Sequence, residues 1–344
     1  MPPRVASFFS RRSGKMKRIA SFLMAAVMAL GLLGAGLAES ATLRIGAHRA
    51  LMGSFEVVAH RAGFWKKQGL KYTIANFKQG KLMRNAIIQG NLDTGTTGFS
   101  PFSTAISRGA QVTAIGVTAN ICDTQHIVVP VNSKAKSLKD LKGVTFANKK
   151  GTSTDFAFQS YVIPAYGLKS SDFPLLSVRT TERISAIVSG NAQAALVGDP
   201  MLEIAIQAGQ IRSLENLCKY DKTRMMHVGN PDTLKKHPEL YAKYFRGWLM
   251  AHKLLKDDPD KYAKIYHKDL VELGTKVKLS VIKVIVRRLR SEVFITDEVK
   301  SYLNDMNKKQ IKLGWIKKTT DFKKTRFIDD SILRKVAAEM KYTN

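Results

Sequence analysis

Along residues 42–229, short runs of β-branched and apolar residues alternate with stretches whose apolar positions recur every three or four residues. Thr42–Ala47 reads as a strand. Phe55, Val58, Ala59 and Ala62 then mark one face of a helix that Gly69 ends. The same reading predicts strands at Tyr72–Phe77, Thr94–Phe99, Val112–Val117, Ile127–Val131, Val144–Ala147, Leu175–Val178 and Ala194–Val197. Helices are predicted at Lys81–Gln89, Phe102–Ser107, Asp155–Tyr166 and Glu182–Ser189. This rhythm indicates α/β units with largely parallel sheets. Beyond residue 238 helical spacing takes over, at Pro238–Lys256, Asp260–His267, Lys278–Ser291 and Asp297–Leu313.

The N-terminus follows a different pattern. Residues 1–18 hold six cations (Arg4, Arg11, Arg12, Lys15, Lys17, Arg18) and no acid, and an uncharged run from Ile19 to Ala38 ends in small residues. That is the layout of a secretory signal over residues 1–40, with cleavage expected near Ala38. An uncleaved membrane anchor is the alternative, because the run is about long enough to span a bilayer. Export by the general or the twin-arginine route is left open.

Charge changes the picture next. The 344 residues carry 56 Lys+Arg against 27 Asp+Glu, and removing residues 1–38 takes the formal charge from +29 to +23. The excess is spread along the chain, whereas a nucleic-acid binder usually gathers it on one face. It is read as a property of the whole surface that draws anions toward clefts, and export makes nucleic acid a poor partner. Two cysteines exclude a disulfide-rich scaffold and a four-cysteine zinc site. The seven histidines (His48, His60, His126, His227, His237, His252, His267) show no metal-ligand spacing, so no metal or cofactor is expected. No nucleophile elbow, phosphate-binding loop or metalloprotease motif is present either.

Five segments, in order, carry a resemblance. They are Leu43–Gly46 with Gly63-Phe64-Trp65-Lys66-Lys67-Gln68-Gly69-Leu70; Gly90-Asn91-Leu92-Asp93 with Gly98; Ser137-Leu138-Lys139-Asp140-Leu141-Lys142-Gly143 with Gly151-Thr152-Ser153; Gly190-Asn191-Ala192-Gln193-Ala194-Ala195 with Asp199-Pro200; and His237-Pro238-Glu239. Together they resemble the substrate-binding proteins of ABC importers, in the branch that handles nitrate, aliphatic sulfonates, taurine and the thiamine pyrimidine precursor. Gln193 stands where that family usually has Asp. The resemblance implies an α/β, type II periplasmic-binding-protein fold of two lobes, each a mainly parallel sheet flanked by helices, with a helical C-terminal extension. Residues 41–123 and 222–344 would form lobe 1 and residues 124–221 lobe 2.

The implied function is capture of a small anionic or zwitterionic solute and its delivery to a permease and its ATPase. The protein would be a periplasmic monomer that meets the membrane only through the permease and catalyses nothing. An enzyme on the same fold, of the thiamine-pyrimidine or menaquinone-pathway type, is the alternative, as is a ligand-sensing subunit. The cysteine-rich iron-binding run of the synthases is absent. Strand ends and helix starts are where such folds bind ligands, and helix N-termini suit anions. The candidate ligand-binding residues are therefore His48, Arg49, Ser54, Phe99, Ser100, Thr118, Asn120, Thr152, Ser153, Thr154 and Asp199. Ser100 is expected to cap a helix near Pro101, and Asp199, if it faces the cleft, to seek a ligand amine. In the resembling fold Cys122 and Cys218 lie near the two ends of lobe 2. Export permits a disulfide there, and two buried thiols are the other reading.

Overall fold

The computed structural model describes residues 41–48 and 50–343; the signal-sequence expectation and Arg49 lie outside the described residues. Ten strands form two sheets. The first holds β1 (Leu43–His48), β2 (Tyr72–Phe77), β3 (Thr94–Gly98), β4 (Thr113–Asn120) and β10 (Arg224–Gly229) in the order β2-β1-β3-β10-β4. The second holds β5 (Gln125–Pro130), β6 (Phe146–Asn148), β7 (Leu175–Ser177), β8 (Ala194–Gly198) and β9 (Ile211–Asn216) in the order β7-β6-β8-β5-β9.

Both sheets are mixed. In the first, β1 pairs in parallel with β2 and β3, while β10 runs antiparallel to β3 and β4. In the second, β6 pairs in parallel with β7 and β8, while β5 runs antiparallel to β8 and β9. The reversed strand in each sheet is the one that enters from the other sheet. The chain crosses twice, at residues 121–124 and 217–223, and each arriving strand inserts against the local direction. Both sheets and their helices belong to one compact unit, Thr42–Asn344.

Local chemistry explains several departures from the sequence reading. The helix expected over Phe55–Gly69 is two, Ser54–Arg61 and Phe64–Lys67, because Gly63 adopts a left-handed φ of 69° between them. The helix expected from Phe102 starts at Phe99, since Pro101 falls in its first turn, where a missing N–H costs nothing. The helix after β6 begins at Ser153 and loosens into π turns over Phe158–Val162 ahead of Pro164, which has no N–H to offer the ladder. The expected helix Lys278–Ser291 stops at Val286. Strands β9 and β10 and the helix Ser331–Glu339 were not among the predicted elements.

The core is continuous between sheet 1 and the C-terminal helices. Phe99, Phe102 and Ile106 pack with Val299, Leu303, Met306 and Phe322, and Phe156, from the helix after β6, is buried in the same cluster. The two faces of sheet 2 have separate clusters, around Phe146 and around Leu202. Cys122 and Cys218, one on each crossover, are bonded to each other with their Cα atoms 4.4 Å apart.

Candidate functional site

The carboxyl ends of β3 and β6 bring the two sheets together. Gly98 closes β3 and lies against Ser153, which opens the helix after β6. A Cβ on Gly98 would stand 2.1 Å from Ser153 Oγ and 3.2 Å from Ser153 Cβ. No side chain larger than a hydrogen fits at residue 98 while the sheets keep this spacing.

Around this contact sit groups with hydrogen-bonding capacity to spare. Ser153 Oγ and Thr97 Oγ1 are both buried with no hydrogen-bond partner. Gly98 is the N-cap of the helix Phe99–Ser107 and Gln79 that of Gly80–Ile88, and neither start receives a side-chain cap. The second start touches the same place, since a Cβ on Gly80 would lie 3.7 Å from Thr97 Oγ1. His48 is level with Thr97, each three residues beyond the paired Ile45 and Thr94. The Ala50 N–H donates to His48 Nδ1 at 3.0 Å. That nitrogen is therefore the acceptor, and a neutral ring carries its proton on Nε2 as a donor. Burial pushes the His48 pKa down to about 4, so the ring is neutral near pH 7.

The neighbouring carboxylates are already engaged. Asp155 accepts from Asn148 Nδ2 (2.8 Å), the Gly151 N–H (2.8 Å) and Gln159 Nε2 (2.9 Å), which pins the loop that delivers Ser153. Asp199 is 4% exposed and accepts from Arg288 Nη1 at 2.9 and 3.2 Å. Unpaired hydroxyls, uncapped helix starts and a neutral imidazole donor make a surface that favours an anion.

Several candidates face elsewhere. Ser54 Oγ meets Tyr262 OH at 2.7 Å inside the core. Phe99 is buried beside Tyr302. Ser100 does not cap the helix; it lies within it, and Gln310 Nε2 donates to its carbonyl (3.1 Å) and its Oγ (3.0 Å). Thr118 is buried, its hydroxyl 3.4 Å from that of Thr96. Asn120 donates to Glu292 and accepts from the Cys122 N–H, both at 3.1 Å. The cation that Asp199 seeks is Arg288, because the C-terminal extension reaches over β8 to supply it.

Thr152, Ser153 and Thr154 divide their work. Thr152 is the N-cap, accepting from the Asp155 N–H and donating to the Lys149 carbonyl, each at 3.1 Å. Thr154 Oγ1 donates to Gln125 Oε1 at 3.0 Å. Only Ser153 keeps a free hydroxyl among the three. Thr152→Ala should therefore cost about 1 kcal/mol of stability, the usual worth of such a cap, measured as a lower urea midpoint.

Sequence reasoning missed Thr97, Gly80, Gln125 and Arg288. Thr97 sits in a run of five residues with small polar side chains or none, Thr94-Gly95-Thr96-Thr97-Gly98, and nothing in the sequence says which hydroxyl lacks a partner. A groove of about 570 Å³ lies elsewhere, at the other end of sheet 2 by Pro130, Asp140 and Gln193. Two of its polar groups serve their own backbone, Asp140 through the Lys136 and Ser137 N–H groups and Gln193 through Thr145 and Gly190.

Known proteins share the two-sheet fold. A protein named for aliphatic sulfonate binding in Escherichia coli is 27% identical over 186 residues, which is 54% of this chain and 58% of that protein. A like-named protein of Bacillus subtilis is 23% identical over 70% of this chain and 73% of its own length. Among solved structures, the periplasmic aliphatic sulphonate binding protein SsuA from Escherichia coli superposes with a TM-score of 0.72 at 21% identity, covering 83% of this chain and 97% of that one. The periplasmic nitrate-binding protein NrtA from Synechocystis PCC 6803 gives 0.71 at 15% identity, covering 87% and 89%. These relatives and neighbours are named as binding proteins, and the solved structures share the two-sheet fold. The model of the family described as NMT1/THI5 like matches residues 54–262, more than half of the chain, and the protein belongs to that family.

Proposed function

We propose that the protein is an exported solute-binding protein. It captures a small anion of the sulfonate or nitrate class between its two lobes and hands it to an ABC permease with its ATPase. The observation that carries this reading is the meeting of Ser153 with Gly98, where two unpartnered hydroxyls and an uncapped helix start converge. In this reading residues 1–38 direct export and are removed after Ala38. Residues 41–123 with 222–344 move as one body against residues 124–221, and the protein works as a monomer in the periplasm.

Ser153, Thr97 and His48 are the proposed ligand donors, with Thr152 and Thr154 holding Ser153 in place. Arg288 already answers Asp199 and three donors already answer Asp155, so neither of these two carboxylates is left to hold a ligand amine. A plain alkanesulfonate or nitrate is therefore expected to bind better than taurine.

Thermal shift of residues 39–344, refolded to strip bound solute, tests this. The panel holds nitrate, sulfate, taurine, ethane-, butane- and octanesulfonate, aromatic carboxylates and thiamine-pathway pyrimidines. A ligand at about 100 times its dissociation constant stabilises by about 2.7 kcal/mol, a few degrees for a chain this long. One anion class should shift the protein. Ser153→Ala should then weaken that anion by roughly tenfold, the worth of one hydrogen bond to a charged group. A folded protein that answers to nothing on the panel would remove the anion assignment.

A further inference from the structure

The segment after the helix Leu279–Val286 runs past both crossovers and touches each of them. Arg290 pairs with Asp123 of the first crossover and exchanges backbone hydrogen bonds with Asn120. The Val293 carbonyl accepts from the Val117 N–H at 2.9 Å, so the segment lies along the edge of β4. Glu292 accepts from Asn120 Nδ2 at 3.1 Å and from Arg224 Nε at 2.5 Å, and Glu298 accepts from Arg224 Nη2 at 3.2 Å. Tyr302 donates to Asp221 of the second crossover at 2.7 Å. Arg288 reaches past the crossovers: its two terminal nitrogens meet Asp199 (2.9 Å), just after β8, and Glu203 (2.6 Å), on the helix Met201–Gln207.

We propose that Arg288–Tyr302 is a strap that sets how far the two lobes part, gripping both crossovers and, through Arg288, lobe 2 itself. The proposal builds on the capture reading, in which the lobes must separate to admit a solute. Two crossovers joined by the Cys122–Cys218 bond leave a bending axis but do not limit the angle. A guanidinium held by two carboxylates across that axis does limit it, because opening must break a charged contact whose carboxylates are almost wholly shielded from water. Arg288 is thus a positioning residue. It need not touch the solute.

The test uses the ligand-free mature protein, spin-labelled through Leu82→Cys and Val188→Cys, which are exposed on helices flanking the first and second sheets. Distances between the labels are measured by pulsed electron resonance. Arg288→Met should move the mean distance outward and broaden the distribution beyond the wild-type width, and Arg288→Lys should fall between. Arg246→Met, which breaks the Arg246–Glu339 pair between two C-terminal helices, should leave it in place. If Arg288→Met fails to fold, Asp199→Asn with Glu203→Gln removes the same clasp from the other side.

Unchanged distances in both sets of variants would overturn the strap. So would equal broadening in Arg246→Met, which would report general loosening. The readout needs no solute, so a silent thermal-shift panel would remove the anion assignment while these distances still decided the strap.

Discussion

Replacing Gly98 with Ala should abolish tight solute binding while leaving the fold nearly as stable as before. Gly98 has φ −69° and ψ 153°, a conformation open to any residue, so the backbone does not resist the change. The resistance lies across the gap between the sheets, where the new methyl would meet Ser153 Oγ at 2.1 Å and Ser153 Cβ and Pro101 Cδ at 3.2 Å. Rotating the serine hydroxyl removes the first clash but not the second. The lobes relieve the rest by standing slightly apart, and unfolding stability should fall by less than about 1 kcal/mol provided Phe156 stays in the apolar cluster it shares with sheet 1. Under the proposed capture, binding should suffer far more, since a solute held from both sides would lose the donors of one side. Affinity for whichever anion the wild type binds should fall by at least a hundredfold, about 2.7 kcal/mol. Calorimetric titration measures it. Adding Ser153→Gly removes the two serine atoms, leaves only the 3.2 Å approach to Pro101 Cδ, and should let the lobes meet again, recovering part of the loss to the extent that the serine hydroxyl is dispensable. Wild-type affinity in Gly98→Ala would mean that solute capture does not require this contact.

Sequence periodicity found most of sheet 1 and the order of elements through β8, because most of those strands are apolar or β-branched and the helices between them end in glycines such as Gly90 and Gly190. It did not find β9 or β10. Ile211–Asn216 alternates weakly and forms one edge of sheet 2, while Arg224–Gly229 is buried along its whole length yet begins with arginine and contains a histidine. Both are held by pairing with strands distant in sequence, which no local window sees. The same blindness reached the site. Ser54, Ser100 and Asn120 stand at helix starts and a strand end, the right places for ligand contacts, but the C-terminal helices and the strap supply Tyr262, Gln310 and Glu292 to satisfy them. Ser153 stayed available because Thr152 and Thr154 took the structural tasks on either side. Pattern can say that a helix start favours an anion. Which hydroxyl is left over depends on partners up to about two hundred residues away, as in the separation of 210 between Ser100 and Gln310.

Glu56 shows the energetic side of that covering, and it should make the protein less stable as pH rises. The helix Ser54–Arg61 looks amphipathic, but the C-terminal helices cover its second face, and Glu56 is fully buried there. Its Oε1 receives long hydrogen bonds from Thr96 (3.3 Å) and Tyr244 (3.4 Å), and Oε2 has no partner. His227 does not compensate. Thr94 Oγ1 donates its one proton to the Val228 carbonyl, so it accepts from His227 Nε2. His227 Nδ1 is then a bare acceptor 3.6 Å from Glu56 Oε1. Two acceptors facing each other favour a proton on the carboxyl, and burial raises the Glu56 pKa from 4.5 to about 7. A carboxyl that binds its proton more tightly when folded contributes stability that is complete below pH 4.5 and is lost as pH climbs to about 7. The loss is about 3 kcal/mol. His227, whose pKa burial lowers from 6.5 to about 3, and His252, lowered well below 6.5, act in the opposite sense, losing stability as pH falls. The wild-type curve is therefore flattened by opposing contributions, and the comparison with Glu56→Gln separates them. The amide keeps the acceptor for Thr96 and Tyr244, cannot ionise, and leaves the histidines in place. Urea unfolding of both proteins from pH 4.5 to 8 should show the variant gaining on the wild type by about 3 kcal/mol across that range, with nearly all of the gain complete by pH 8. Parallel curves would mean that Glu56 folds already ionised, and that the cost of its burial is met by donors other than Thr96 and Tyr244.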